Sequence, residues 1–295
     1  MPILGTAGSQ NIKSFLQILA AYFAGGYDGG NLSSINKIAF SADTRTTLAA
    51  ALTTGRYLLA GAANSGTAAY FAGGSDGAVI SGIDKIAFTA DTKSTLAATL
   101  SVASQQHAGA ANSGTAAYFT NGSGGSGVDK IAFSADTKTT LAATISAGTG
   151  AAGAANSGTA AYFTRGVSNT GIDKIAFSAD TKTTLAAALT AARNGVAGAA
   201  NNGVAAYFAG GDYLSSIDKI AFSADTKSTL SATLSANSYY ASGAANSGTA
   251  AYFTNGTSNT GIDKIAFSAD TKSTLAATLS ANRGFAGAAA NSGTL

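Results

Sequence analysis

The chain has no cysteine, no tryptophan and no glutamate, and only one methionine, one proline and one histidine in 295 residues. Without cysteine there are no disulfides, thiolate metal sites or thiol chemistry, and the redox compartment stays open. Without glutamate, all 14 acidic side chains are aspartates. A single histidine, His107, supports neither a Ser-His-Asp set nor a multi-ligand metal centre, so catalytic, metal and cofactor sites are all expected to be absent. Charged residues make up 11% of the chain, with a formal net charge of +3. No clustered basic stripe accompanies that excess, so a nucleic-acid partner is not expected. No apolar run reaches the roughly 18 residues of a membrane-spanning helix, so membrane insertion is not expected either. Ser14 to Gly25 resembles the apolar part of a signal peptide. Its AAYFAGG portion recurs in the chain interior, however, which favours a repeat over a cleaved leader.

What the chain does have is repetition. An AAYF core stands at Tyr22-Phe23, Tyr70-Phe71, Tyr118-Phe119, Tyr162-Phe163, Tyr207-Phe208 and Tyr252-Phe253, at spacings of 44 to 48 residues. The unit reads AAYF…DKIAFSADTKTTLAATLS…GAANSGT, and the copies fall at about 20–67, 68–115, 116–159, 160–204, 205–249 and 250–295. Each copy has few large apolar side chains, so one unit cannot bury enough surface alone and must pack against its neighbours. Residues 1–19 precede the first copy and read as an N-terminal arm or attachment segment.

Each unit contains four short apolar runs separated by turn signals. Around the fourth AAYF these are Ala151 to Ala155, Thr159 to Thr164, Ile172 to Ser178 and Thr183 to Leu189. In the second run Tyr162 and Phe163 point to opposite faces. Asn156-Ser157-Gly158 is expected to form a tight turn in which Asn and Gly supply positive φ. The fourth run also fits a short helical segment. The pattern predicts an all-β fold, a six-bladed β-propeller of four-stranded antiparallel blades. The AAGAA run, the smallest, belongs nearest the axis. The chain starts its repeats with AAYF and ends just before another AAYF is due, so the N- and C-terminal strands should pair and close the ring. The alternative is a six-coil β-solenoid.

The aromatic strand ending in Gly-Gly (Phe23-Ala24-Gly25-Gly26, Phe71-Ala72-Gly73-Gly74, Phe208-Ala209-Gly210-Gly211) resembles the second strand of kelch-like propeller repeats. IDKIAF resembles the strand that follows, and Arg193 falls near the inter-blade arginine of those repeats. Two departures stand out: the outer-strand tryptophan is missing, and Asn121-Gly122, Arg165-Gly166 and Asn255-Gly256 replace the double glycine. Short kelch-like repeats of this kind are similar to those of bacteriophage tail and fibre proteins. That resemblance implies a virion-type structural or adhesion protein, located on the virion or otherwise secreted or at a cell surface. Its implied partners are a host surface glycan or receptor, with residues 1–19 joining other virion or assembly proteins, and a homo-oligomer is open to it.

Comparison among the copies separates two kinds of turn. ANSGT and SADTK hardly vary, whereas the loops after AAYF and after the fourth strand differ in every copy. In an antiparallel blade the two constant turns share one face of the disc and the two varied loops share the other. The varied loops carry Tyr27, Asp28, Arg56, Tyr57, Gln106, His107, Arg165, Arg193, Asn194, Asp212, Tyr213, Tyr239, Tyr240, Arg283 and Phe285. These are residue types typical of recognition surfaces, and the set is the expected ligand-binding face. His107 reads as an exposed loop residue. Asp180 and its equivalents read as turn formers whose carboxylates bind nearby backbone N–H groups. Two alternatives to adhesion are a purely architectural module of a larger particle and a propeller-based hydrolase. The latter needs paired carboxylates, and the varied face offers only Asp28, Asp76 and Asp212, on three blades.

Overall fold

The computed structural model describes residues 19–257 and 259–292. It contains six four-stranded antiparallel sheets arranged as the blades of a propeller. Blade 2 shows the pattern: Ala60–Asn64 lies innermost, then Ala68–Ala72, Ile83–Ala87 and Thr92–Thr95 follow outward. Blade 1 takes its inner strand from the other end of the chain. Gly287–Asn291 pairs antiparallel with Ala20–Ala24, in the register Tyr22 opposite Ala289. The terminal strands therefore close the ring, and blade 1 has an inner strand as the other five blades do. The expected attachment arm, apart from Leu19, lies outside the described residues.

Small residues line the axis because the inner strands crowd there. A Cβ on Gly61 would stand 2.1 Å from the Ala288 carbonyl oxygen, and one on Gly109 would stand 2.4 Å from that of Gly61. The fourth run is a strand only over Thr181–Thr184, and the chain beyond it bends away without forming a helix.

The AAYF strand holds blade to blade. Its alternation sends each tyrosine into the interface with the next blade and each phenylalanine into the interface with the preceding one. All twelve rings are fully buried. There are six apolar clusters, one per interface: the first gathers Tyr22 and Ile35 of blade 1 with Phe71, Ile86 and Phe88 of blade 2. Each tyrosine ring packs on the IAF phenylalanine of the next blade at 4.9–5.0 Å.

The constant turns serve the same interfaces, which corrects two expectations. The turn aspartates Asp43, Asp91, Asp136, Asp180, Asp225 and Asp270 do adopt positive φ, at 51–52°. Their carboxylates, however, do not hold local backbone. Asp180 accepts from Tyr118 Oη at 2.9 Å and from Lys130 Nζ at 2.7 Å, both on the preceding blade. The same pair of bonds recurs at all six interfaces, from Tyr22 and Lys37 on Asp91 round to Tyr252 and Lys264 on Asp43. In the ANSGT turn only the glycine takes positive φ, 79° at Gly66. The asparagine instead reaches across: Asn64 Oδ1 accepts from Gly114 N–H, and Asn112 Oδ1 from Gly158 N–H. Serine hydroxyls form a second tie, with Ser113 Oγ accepting from Ser65 N–H at 3.1 Å. These turns are alike in every copy because every copy must fit its neighbour.

Candidate functional site

The varied loops gather on the opposite face. The loop after each AAYF strand pairs with the inter-blade link beside it, as in the bridges Tyr57–Ser75, Tyr27–Gly284 and Tyr239–Gly256. The links also bond to one another around the axis. Gln106 N–H donates to Leu58 O, Gly150 to Gln106, Gly195 to Gly150, Ala241 to Gly195, Phe285 to Tyr240 and Leu58 to Phe285, at 2.8–3.2 Å. One residue per link takes a left-handed conformation: Leu58, Gln106, Gly150, Gly195, Tyr240 and Phe285, with φ between 55° and 70°. Glycine is the default residue for such a position, and a larger side chain there costs roughly 1–2 kcal/mol. Only two of the six are glycine. The other four side chains line the mouth of the axial channel at this face, where three of them meet as a stopper. Gln106 Nε2 donates to the Tyr240 hydroxyl from the link diametrically opposite. The Tyr240 ring lies on Phe285 with centroids 3.8 Å apart.

From this stopper an aromatic arc runs outward in both directions. Phe285 meets Tyr57 at 5.8 Å, and Tyr57 meets Tyr27 at 5.6 Å. On the other side Tyr240 meets Tyr239 at 4.4 Å, and Tyr239 stacks parallel on Tyr213 at 4.8 Å. The arc thus covers blades 5, 6, 1 and 2. The loops of blades 3 and 4 carry no aromatic residue on this face. The outer ends are open to solvent, with Tyr213 64% and Tyr27 43% exposed, while Tyr57, Tyr239 and Phe285 are half-buried. Burial against its neighbours pushes the Tyr240 hydroxyl up to about 12, so it stays a neutral hydrogen-bonding group.

Five residues expected on the recognition surface are buried instead. Arg56, Arg193 and Arg283 lie beneath the loops at 2%, 0% and 0% exposure. Arg56 donates to Phe71 O and pairs with Asp84 at 3.2 Å. Arg193 donates to Ser216 O and pairs with Asp218 at 2.9 Å. Arg283 donates to Gly25 O, Ser34 O, Ser34 Oγ and Ser280 Oγ, all neutral, because blade 1 carries Asn36 where the other blades carry aspartate. Burial lowers its guanidinium to about 10. These arginines splice one blade to the next and are not available to a ligand. His107 is buried, not exposed, beside Phe119, and desolvation together with the nearby Arg56 charge lowers it to about 4. Tyr240 is the fifth, withdrawn into the stopper. Arg165 is half-buried and tied to Asp173 at 2.9 Å, which with its other partners holds that carboxyl down at about 2.

The expected residues that stay near the surface are Tyr27, Asp28, Tyr57, Gln106, Asn194, Asp212, Tyr213, Tyr239 and Phe285. All but Gln106 and Asn194 belong to the arc or its rim; those two sit beside it, Gln106 through Tyr240 and Asn194 through its N–H to Asp212 Oδ2 at 2.8 Å. Leu58 completes the channel stopper although nothing in its residue type marks it. The available signal was positional: each stopper residue stands three places before the inner-strand position that packs on the axis, in a column occupied by two glycines and four large side chains. Among the described residues no three potential metal ligands converge, and no helix is long and apolar enough to cross a membrane. Neither a protein-family model nor a curated protein sequence matches the chain.

Proposed function

We propose that the protein is a non-enzymatic adhesion module whose loop face binds a surface glycan, carried on a virion as the likeness to phage fibre repeats implies. The observation that carries this reading is the aromatic arc. Among the described residues the exposed aromatic rings lie on this one face, in loops rich in Ser and Gly. The loops keep large side chains at four left-handed positions where glycine would relieve strain. Tyrosine faces stack on the apolar faces of sugar rings, while Gln106, Asn194 and the tyrosine hydroxyls supply hydrogen bonds. The exposed carboxylates sit on separate blades, which supports binding over glycoside hydrolysis.

The test is a glycan array probed with the full chain, followed by Tyr57→Ala and Tyr213→Ala. Binding to a defined glycan that falls at least about fivefold in each variant is expected, taking for the lost stacking contact the roughly 1–3 kcal/mol of an aromatic side chain stacked on a base. No binding to any glycan, or full binding by both variants, would sink the reading.

A further inference from the structure

Although the chain as a whole carries +3, its loop face does not share that sign. The lysines with described positions lie on the third and outer strands, and most of them pair with aspartates there. The arginines of the loop face are buried or, for Arg165, tied to Asp173. Among the described residues the fully exposed charges of this face are Asp28, Asp76 and Asp212.

Each of these residues neighbours a tyrosine of the arc in the chain or across a backbone pairing. Asp28 follows Tyr27 and Asp212 precedes Tyr213. Asp76 follows Ser75, whose backbone exchanges two hydrogen bonds with Tyr57, at 2.8 and 3.1 Å. Internal counter-charge does not account for all three. Arg56 and Arg193 already pair with Asp84 and Asp218; Asp76 adds its field at Arg56 after that of Asp84, and Asp212 is surplus to Arg193. Only Arg283 lacks an internal carboxylate, and Asp28 is the acid whose field favours its charge. Three tyrosines of the arc therefore each have an exposed aspartate next to them, in the chain or across a backbone pairing.

On the reading that the arc binds a glycan, we propose that the glycan is an amino-sugar polymer with free amines. A pyranose ring stacks on each tyrosine and its ammonium group meets the adjacent carboxylate, with a further cation–π attraction to the ring. The same charges repel sialylated, phosphorylated or uronic polymers.

Calorimetry on the full chain distinguishes the outcomes, using a glucosamine hexamer, an N-acetylglucosamine hexamer and an oligogalacturonate, below the pKa of the amine. The glucosamine hexamer should bind tightest. Its affinity should fall about threefold in each of Asp76→Asn and Asp212→Asn, in keeping with exposed ion pairs. It should also fall as salt rises toward about 1 M, where screening reaches about 3 Å. Asp28 is left intact because Arg283 has no other carboxylate, whereas Arg56 and Arg193 keep Asp84 and Asp218 in the variants. Equal binding of both hexamers, unmoved by the asparagine variants, would overturn the amine requirement and leave the glycan reading standing. Tighter binding of the oligogalacturonate would overturn it as well. No binding by any oligomer would count against both.

Discussion

The two faces of this propeller are built from the same repeat and use it in opposite ways. On the ANSGT and SADTK face the recurring asparagine, serine and aspartate of the turns are spent on a neighbouring blade: Asn64 on Gly114, Ser113 on Ser65, Asp180 on Tyr118 and Lys130. On the loop face the backbone makes the ring of bonds around the axis, through Leu58, Gln106, Gly150 and their equivalents, and most of the side chains above it are left to vary. Sameness marks the face where side chains hold the ring together. Variation is permitted where main chain does most of that work, so apart from the buried arginines few side chains there are needed for assembly.

The sharpest way to stress the constant face is alkali. Six buried tyrosines donate to six aspartates, and burial followed by that hydrogen bond raises each hydroxyl above its ordinary value, to about 12 for Tyr118 and Tyr162. The sign follows from linkage. The folded state holds its protons where the unfolded chain has lost them, so this stability is complete below pH 10 and drains away between about 10 and 12. Each of these two tyrosines represents about 2–3 kcal/mol by pH 12. The expected result is cooperative unfolding in that window, with phenolate absorbance from the AAYF tyrosines appearing together with loss of the far-ultraviolet strand signal. Gradual ionisation of these tyrosines in a folded ring would break the contrast between the faces.

A single interface gives the next largest effect. Phe163→Ala empties a fully buried site in the cluster shared by blades 3 and 4 and should cost about 3–5 kcal/mol in chemical denaturation. Tyr213→Ala, at 64% exposure, should stay within about 0.5 kcal/mol. A large cost at Tyr213 would mean that the aromatic arc is structural.

Much of this was legible in the sequence. Alternation along AAYF placed Tyr162 and Phe163 on opposite sides, the phase of the chain ends foretold the closing strand, and the constancy of the turns separated the faces. The partners were not legible. Asp180 lies 62 residues from Tyr118, and a turn former with a local bond has the same sequence as one that grips the next blade. Arginine in a variable loop reads as a recognition residue. Whether it lies over the loop or beneath it depends on acceptors waiting on the adjacent blade, Asp84 and Asp218 for two of them and the Gly25 and Ser34 carbonyls for Arg283. His107 misled for the same reason, since a histidine between Gln106 and Ala108 carries no periodicity to show which way it turns.

The closing blade offers a gain instead of a loss. Arg283 is splinted as Arg56 and Arg193 are, but its blade supplies Asn36 where theirs supply Asp84 and Asp218. Asn36→Asp should place a carboxylate among Arg283, Thr47 and Ser280, and raise stability by about 1–2 kcal/mol, since a charge-assisted bond is about twice as strong as a neutral one. Thermal unfolding reads it directly, and a lower Tm would show that the neutral carbonyl set already satisfies this guanidinium.

The smallest expected change bears most directly on function. Gln106→Gly removes a side chain held at φ 56° and, with it, the hydrogen bond to the Tyr240 hydroxyl across the channel mouth. Relief of left-handed strain favours the glycine by about 1 kcal/mol, and the lost bond costs about the same. Stability should therefore move by less than about 1 kcal/mol. Tyr240 would keep its contact with Phe285 at 3.8 Å but lose its anchor on the far side of the ring, so the inner end of the arc would loosen. If the loop face is kept for recognition, glycan affinity falls in this variant while the melting curve stays in place. If both are unchanged, the glutamine is drift, and the strain at its position has no counterpart in function.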